Sequence, residues 1–188
     1  MGFLFAYMEN ISYLCFMIDK EIKETLLGFE GKLNFAGLLS WMESNGVPYK
    51  SRHLRGPIGM ATFDGVYINL DAIMDYNPSL LFFVILHETA HYKRITKMGK
   101  DNVIKFLSDD NFDVFFEHVV TEEIIADRYG RLVYRLMNGT NFPVQVTQQL
   151  ELPYKRERYK STAIHLFGKI DNSEEKYNEL VKSFIDED

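Results

Sequence analysis

Two histidines and a glutamate in the stretch His87-Glu88-Thr89-Ala90-His91 have the residue types and spacing for metal-assisted hydrolysis. Residues four apart share one face of an α-helix, so His87 and His91 can each turn a ring nitrogen toward one zinc ion, with Zn–N bonds of about 2.0–2.1 Å. Glu88 falls about 100° further around, beside the ion rather than on it, where a carboxylate can take a proton from metal-bound water. A catalytic zinc takes three protein ligands and leaves its fourth position to water. Glu123 is the expected third ligand. It heads Glu123-Ile124-Ile125-Ala126-Asp127, in which Glu123 and Asp127 share a helix face one turn apart. Asp127 is expected to accept the second ring N–H of a ligating histidine, His87 rather than His91, and so to fix its tautomer. Ala126 and Gly130 on the same side are small enough to let this helix approach the one that bears the histidines.

Other side chains suit this shell less well. His118 precedes Glu123 by five residues, about 140° around a helix, and Glu122 points off the face shared with Asp127. Asp109, Asp110 and Asp113 fit a loop and a helix N-cap, and His53 stands alone in a predicted strand region. Amide hydrolysis also needs a donor for the developing oxyanion. His165, Tyr154 and Tyr159 lie on C-terminal segments that could fold over a cleft, and the sequence does not choose between them or separate them from ordinary surface and core residues. The longer metzincin pattern fails, because the sixth position after His91 is Lys97.

These residues need particular elements to hold them. Asn77-Pro78-Ser79 supplies an N-cap and a first-turn proline, and Leu80 to Met98 then runs without a breaker to Gly99, which predicts a helix of about five turns. A second long helix is predicted from about Asp113 to Met137, capped by Asp113 and closed by Asn138-Gly139. Before them, one or two helices are expected between Phe3 and Phe29, and a short amphipathic helix carries Phe35, Leu38, Leu39 and Met42 up to Asn45-Gly46. Asp64-Gly65 between apolar runs is a hairpin signal, so Met60–Phe63 and Val66–Leu70 should pair antiparallel. Beyond Pro143 and Pro153, Tyr154–Ile170 and Ser173–Ile185 read as two further helices. The fold class is α+β, a mostly helical domain with a small antiparallel sheet packed against the histidine-bearing helix.

A length of 188 residues with 46% hydrophobic side chains suits one domain over 1–188 with one core. The formal charge of −6 argues against direct nucleic-acid binding, which calls for clustered Lys and Arg. Lys93-Arg94 with Lys97 and Lys100, and Lys155-Arg156 with Arg158 and Lys160, read as solvated helix faces. The single Cys15 permits no internal disulfide. The apolar stretch Gly2 to Met8 has no basic flank or cleavage site, and no apolar run reaches about 18 residues. A cytoplasmic protein with no membrane association is expected.

Gly65-Val66-Tyr67-Ile68-Asn69-Leu70, the helix with HETAH, and Glu122 to Gly130 (EEIIADRYG) together resemble the ImmA/IrrE-type metallopeptidases over about residues 38–137, leaving a helical C-terminal extension. The resemblance implies a zincin-like, gluzincin-like enzyme with one zinc ion on His87, His91 and Glu123 and with Glu88 catalytic. Members of that family act inside bacteria or come from phages and mobile elements, and some cleave or inactivate DNA-binding repressors, so a protein or peptide substrate such as a transcriptional repressor is implied. By the same analogy, the Val66–Leu70 strand is expected to offer an edge to an extended peptide. This chain has Arg135-Leu136-Met137-Asn138-Gly139 where the family has a Leu-Leu-Met-Pro-like ending, and no helix-turn-helix segment accompanies it. The alternative expectation is a zincin-like regulatory or partner-binding protein whose zinc has no turnover. A retained Glu88 speaks against it, since a purely structural zinc needs no base.

Overall fold

The computed structural model describes residues 18–29, 31, 33–53, 58–73, 78–107 and 112–143. Each early helix begins where a side chain can satisfy an orphan backbone N–H. Asp19 accepts from Glu21 N at 2.9 Å and opens α1 (Lys20–Gly28), which buries Ile22 and Leu26 one turn apart. Asn34 accepts from Gly37 N at 2.8 Å and opens α2 (Phe35–Asn45), which buries Phe35, Leu38, Leu39 and Met42. Gly46, at φ +64°, closes α2 in the left-handed conformation.

Three strands follow: β1 (Tyr49–Arg52), β2 (Gly59–Thr62) and β3 (Gly65–Asn69), in the order β1-β3-β2. The expected hairpin is present, with Met60 opposite Tyr67 and Ala61 opposite Val66. The sheet is nevertheless mixed rather than antiparallel, because β1 runs parallel to β3 with Tyr49 opposite Val66. A hairpin turn dictates the direction of the two strands it joins and no others, so Asp64-Gly65 carried no information about β1. Gly65, at φ +138°, also has Pro48 of the incoming β1 segment where a side chain would stand. Val66 and Ile68 of the central strand are fully buried.

A short α3 (Leu70–Ile73) leads on from β3, and α4 (Pro78–Met98) then runs to Gly99, at φ +85°. An unexpected helix, α5 (Lys100–Leu107), follows, and α6 (Phe112–Asn138) ends at Gly139, at φ +67°. Because α6 already includes Phe112, Asp113 lies within its first turn rather than capping it. The expected segments 3–17, Tyr154–Ile170 and Ser173–Ile185 lie outside the described residues.

The chain divides into two compact units, one reaching to Lys97 and including Tyr129–Phe142, the other including Met98–Arg128. In the first, α4 buries Leu80, Leu81, Phe82, Phe83, Ile85, Leu86, Thr89 and Ala90, so six of the seven residues from Leu80 to Leu86 are core. An aromatic chain binds its layers: Phe35 to Phe82 at 5.3 Å between ring centroids, Phe82 to Tyr134 at 5.3 Å, and Phe83 stacked on Phe142 at 4.5 Å. The second unit contains α5 and the earlier turns of α6, in which Ala126 is fully buried. Among the described residues no helix is long and apolar enough to cross a membrane.

Candidate metal centre

The buried stripe of α4 seats the helix and leaves His87, Glu88 and His91 only half-buried. The two histidine rings meet edge to face with centroids 4.7 Å apart, and their Nε2 atoms are 3.1 Å apart. Two Zn–N bonds of about 2.0–2.1 Å at the tetrahedral angle place the nitrogens about 3.3 Å apart, so this spacing fits a pair converging on one ion. Both histidines are half-buried on α4, and Glu123 is half-buried on α6. Two imidazoles and one carboxylate are a donor set that suits zinc.

The rotation of α4 is tied to the sheet through a residue that sequence reasoning passed over. Thr89 stands between the two histidines and is fully buried. Its hydroxyl is 2.6 Å from the Ile85 carbonyl, an acceptor, so its one proton goes there. Tyr49 Oη, 2.7 Å from Thr89 Oγ1, must then be the donor in that pair. Burial raises the Tyr49 pKa and keeps the phenol protonated. A polar residue on an otherwise apolar helix face was the available signal at Thr89. Nothing in the local sequence marked Tyr49.

Glycines admit two close approaches to this helix. A β-carbon on Gly130 of α6 would fall 2.8 Å from Phe83 Cε2, and Phe83 lies one turn before His87 with its ring 5.8 Å from the imidazole. The expected role of Gly130 in close helix packing is thus met. Gly59 is the first residue of β2, and a β-carbon there would fall 2.6 Å from Glu88 Cγ.

The remaining candidates are distributed as follows. Glu122 and Asp127 are half-buried on α6, and His118 is exposed on the same helix. Tyr154, Tyr159 and His165, the possible oxyanion donors, lie outside the described residues, as do Asp109 and Asp110. His53 follows β1 and is engaged elsewhere, with Nε2 2.8 Å from Glu21 and Nδ1 3.0 Å from Asp71. The hydrogen bonds to Asp71 and then Glu21 raise its pKa to about 9. The strand expected to present an edge to a peptide is the central one, paired on both sides, so that expectation is corrected. Among the described strands, β1 and β2 are the two edges, and β1 carries an isolated bridge from Tyr49 to Ile18. No family model matches the chain, and no curated protein or solved structure matches it either.

Proposed function

We propose that this protein is a zinc-dependent metallopeptidase of the ImmA/IrrE type that hydrolyses a peptide bond in a cytoplasmic protein substrate. The observation that carries the reading is the pair of histidines on α4, whose Nε2 atoms lie 3.1 Å apart, the spacing that two ligands of one ion require. The two histidines and Glu123 would hold the ion, which supplies Lewis acidity toward water and the scissile carbonyl when bound. Glu88, adjacent to His87 and off the ligand face, removes a proton from the attacking water. The same carboxyl group then delivers that proton to the departing amine. Asp127, one turn beyond Glu123, is assigned the second N–H of His87 and holds that ring in its ligating tautomer. The resemblance to repressor-inactivating peptidases makes a DNA-binding repressor the first substrate to try.

Two measurements test this. Protein purified without chelator should contain one zinc per chain, and His87→Ala or His91→Ala should each lose it. Glu88→Gln should keep the zinc and lower cleavage of a susceptible protein by at least about 100-fold, the low end of what positioned acid–base catalysis contributes. Equal cleavage by Glu88→Gln would remove the mechanism, and metal retention without His87 and His91 would remove the site.

A further inference from the structure

A single position on the sheet presses on the proposed base from outside the ligand set. A β-carbon on Gly59 would lie 2.6 Å from Glu88 Cγ, 2.6 Å from Val84 Cγ1 and 3.2 Å from Glu88 Oε1. Real side chains do not come that close, so the volume a side chain would occupy at 59 belongs to α4. Val84 and Glu88 are one turn apart on a single helix stripe, and the start of β2 lies along that stripe. Gly59 is not among the glycines with positive φ, so backbone conformation does not demand it. Glycine inside a strand weakens it relative to alanine, and its place there is explained by the close approach of another group.

Glu88 carries its carboxylate on a stem with three rotatable bonds, and a base is effective only when the carboxylate stays within hydrogen-bond reach of the proton it takes. A strand laid directly on Cγ removes the rotamers that swing toward the sheet. We propose that Gly59 is a positioning residue for Glu88: the bare start of β2 forms a slot that holds the glutamate stem beside the metal. This rests on the reading of Glu88 as the base next to a bound zinc ion.

The test uses the full-length, zinc-loaded protein and acetohydroxamate, a small zinc-binding probe whose N–H and O–H can bond to a neighbouring carboxylate. Four proteins are compared: wild type, Glu88→Gln, Gly59→Ala and Gly59→Ala with Val84→Ala. The second change in the double variant relieves the clash between strand and helix without reopening the slot for Glu88. Glu88→Gln and both Gly59 variants should bind acetohydroxamate about 10-fold more weakly than wild type, the loss of one charge-assisted hydrogen bond. Zinc affinity measured by chelator competition should stay within about twofold in all four, since no ligand is touched. Wild-type hydroxamate affinity in Gly59→Ala, or its recovery on adding Val84→Ala, would overturn the inference, because Gly59 would then serve helix packing alone. Loss of zinc from both Gly59 variants would overturn it as well. A wild type that binds no zinc, or a Glu88→Gln variant that binds acetohydroxamate as tightly as wild type, would sink the peptidase reading itself.

Discussion

The hydroxyl pair between Tyr49 and Thr89 has one proton too few to be symmetrical, and that asymmetry predicts unequal costs. Thr89 gives its proton to the Ile85 carbonyl, so Tyr49 donates to Thr89. Tyr49→Phe leaves only an acceptor lone pair unused, and it should lower stability by about 1 kcal/mol, the net worth of one neutral hydrogen bond. Thr89→Val leaves the Tyr49 O–H buried with no acceptor. It should cost about 1–3 kcal/mol, the desolvation penalty of an unsatisfied group. The double variant removes both partners and should cost less than the sum of the single changes. Urea denaturation of the four proteins checks the order, and additive effects would show that the two hydroxyls do not depend on one another. The candidate ligands His87 and His91 stood out at this scale because a metal would need fixed residue types at helical spacing. Tyr49 and Gly59 were not readable, because what they touch depends on strand register and helix placement, which no local pattern encodes.

Helix ends were the most readable of the elements, since a cap is a local transaction. Gly46, Gly99 and Gly139 act where their residue types suggested, whereas Asp113 lies inside the first turn of α6. The parallel β1–β3 pairing was hidden because a four-residue strand carries too little alternation to declare its partner. The α5 helix was hidden because Gly99 ends one helix without indicating that another begins at Lys100. Gly130 shows how the two kinds of information collide. In an exposed helix, glycine to alanine would stabilise by about 1 kcal/mol. Here the new methyl would meet Phe83 Cε2 at 2.8 Å, and that ring is stacked on Phe142 and almost fully buried. Overpacking of a filled core costs about 1–3 kcal/mol, so Gly130→Ala should be destabilising on balance despite its better helix propensity. A thermal melt decides it. A raised Tm would mean that the Phe83 ring moves aside freely and that the contact does not limit how closely these segments pack.

For the molecule as a whole, the exposed ion pairs set a preferred pH range for the fold. His53, just past the end of β1, brings together three elements, with one ring nitrogen facing Glu21 of α1 and the other facing Asp71 of α3. Both nitrogens act as donors only when the imidazole is charged. Its pKa is raised to about 9 from an ordinary 6.5, so the stability it contributes is fully present below 6.5 and is lost as pH rises through about 9. Asp64 at the hairpin works in the opposite direction. Hydrogen bonds from Tyr67 and Thr62 and the Lys50 ammonium hold its carboxyl well below the usual carboxylate range. Its contribution is therefore present above about 4 and is lost on acidification. Together they predict greatest stability between these limits, with a decline from pH 6.5 to 9. The informative quantity is the difference between wild type and His53→Gln in denaturant midpoint across the range. The gap should be widest near pH 6 and should close by pH 10, and 1 M salt should narrow it at low pH because the groups are solvent-exposed. A gap of constant size across this range would show that the link from α1 to α3 does not depend on the charge of His53.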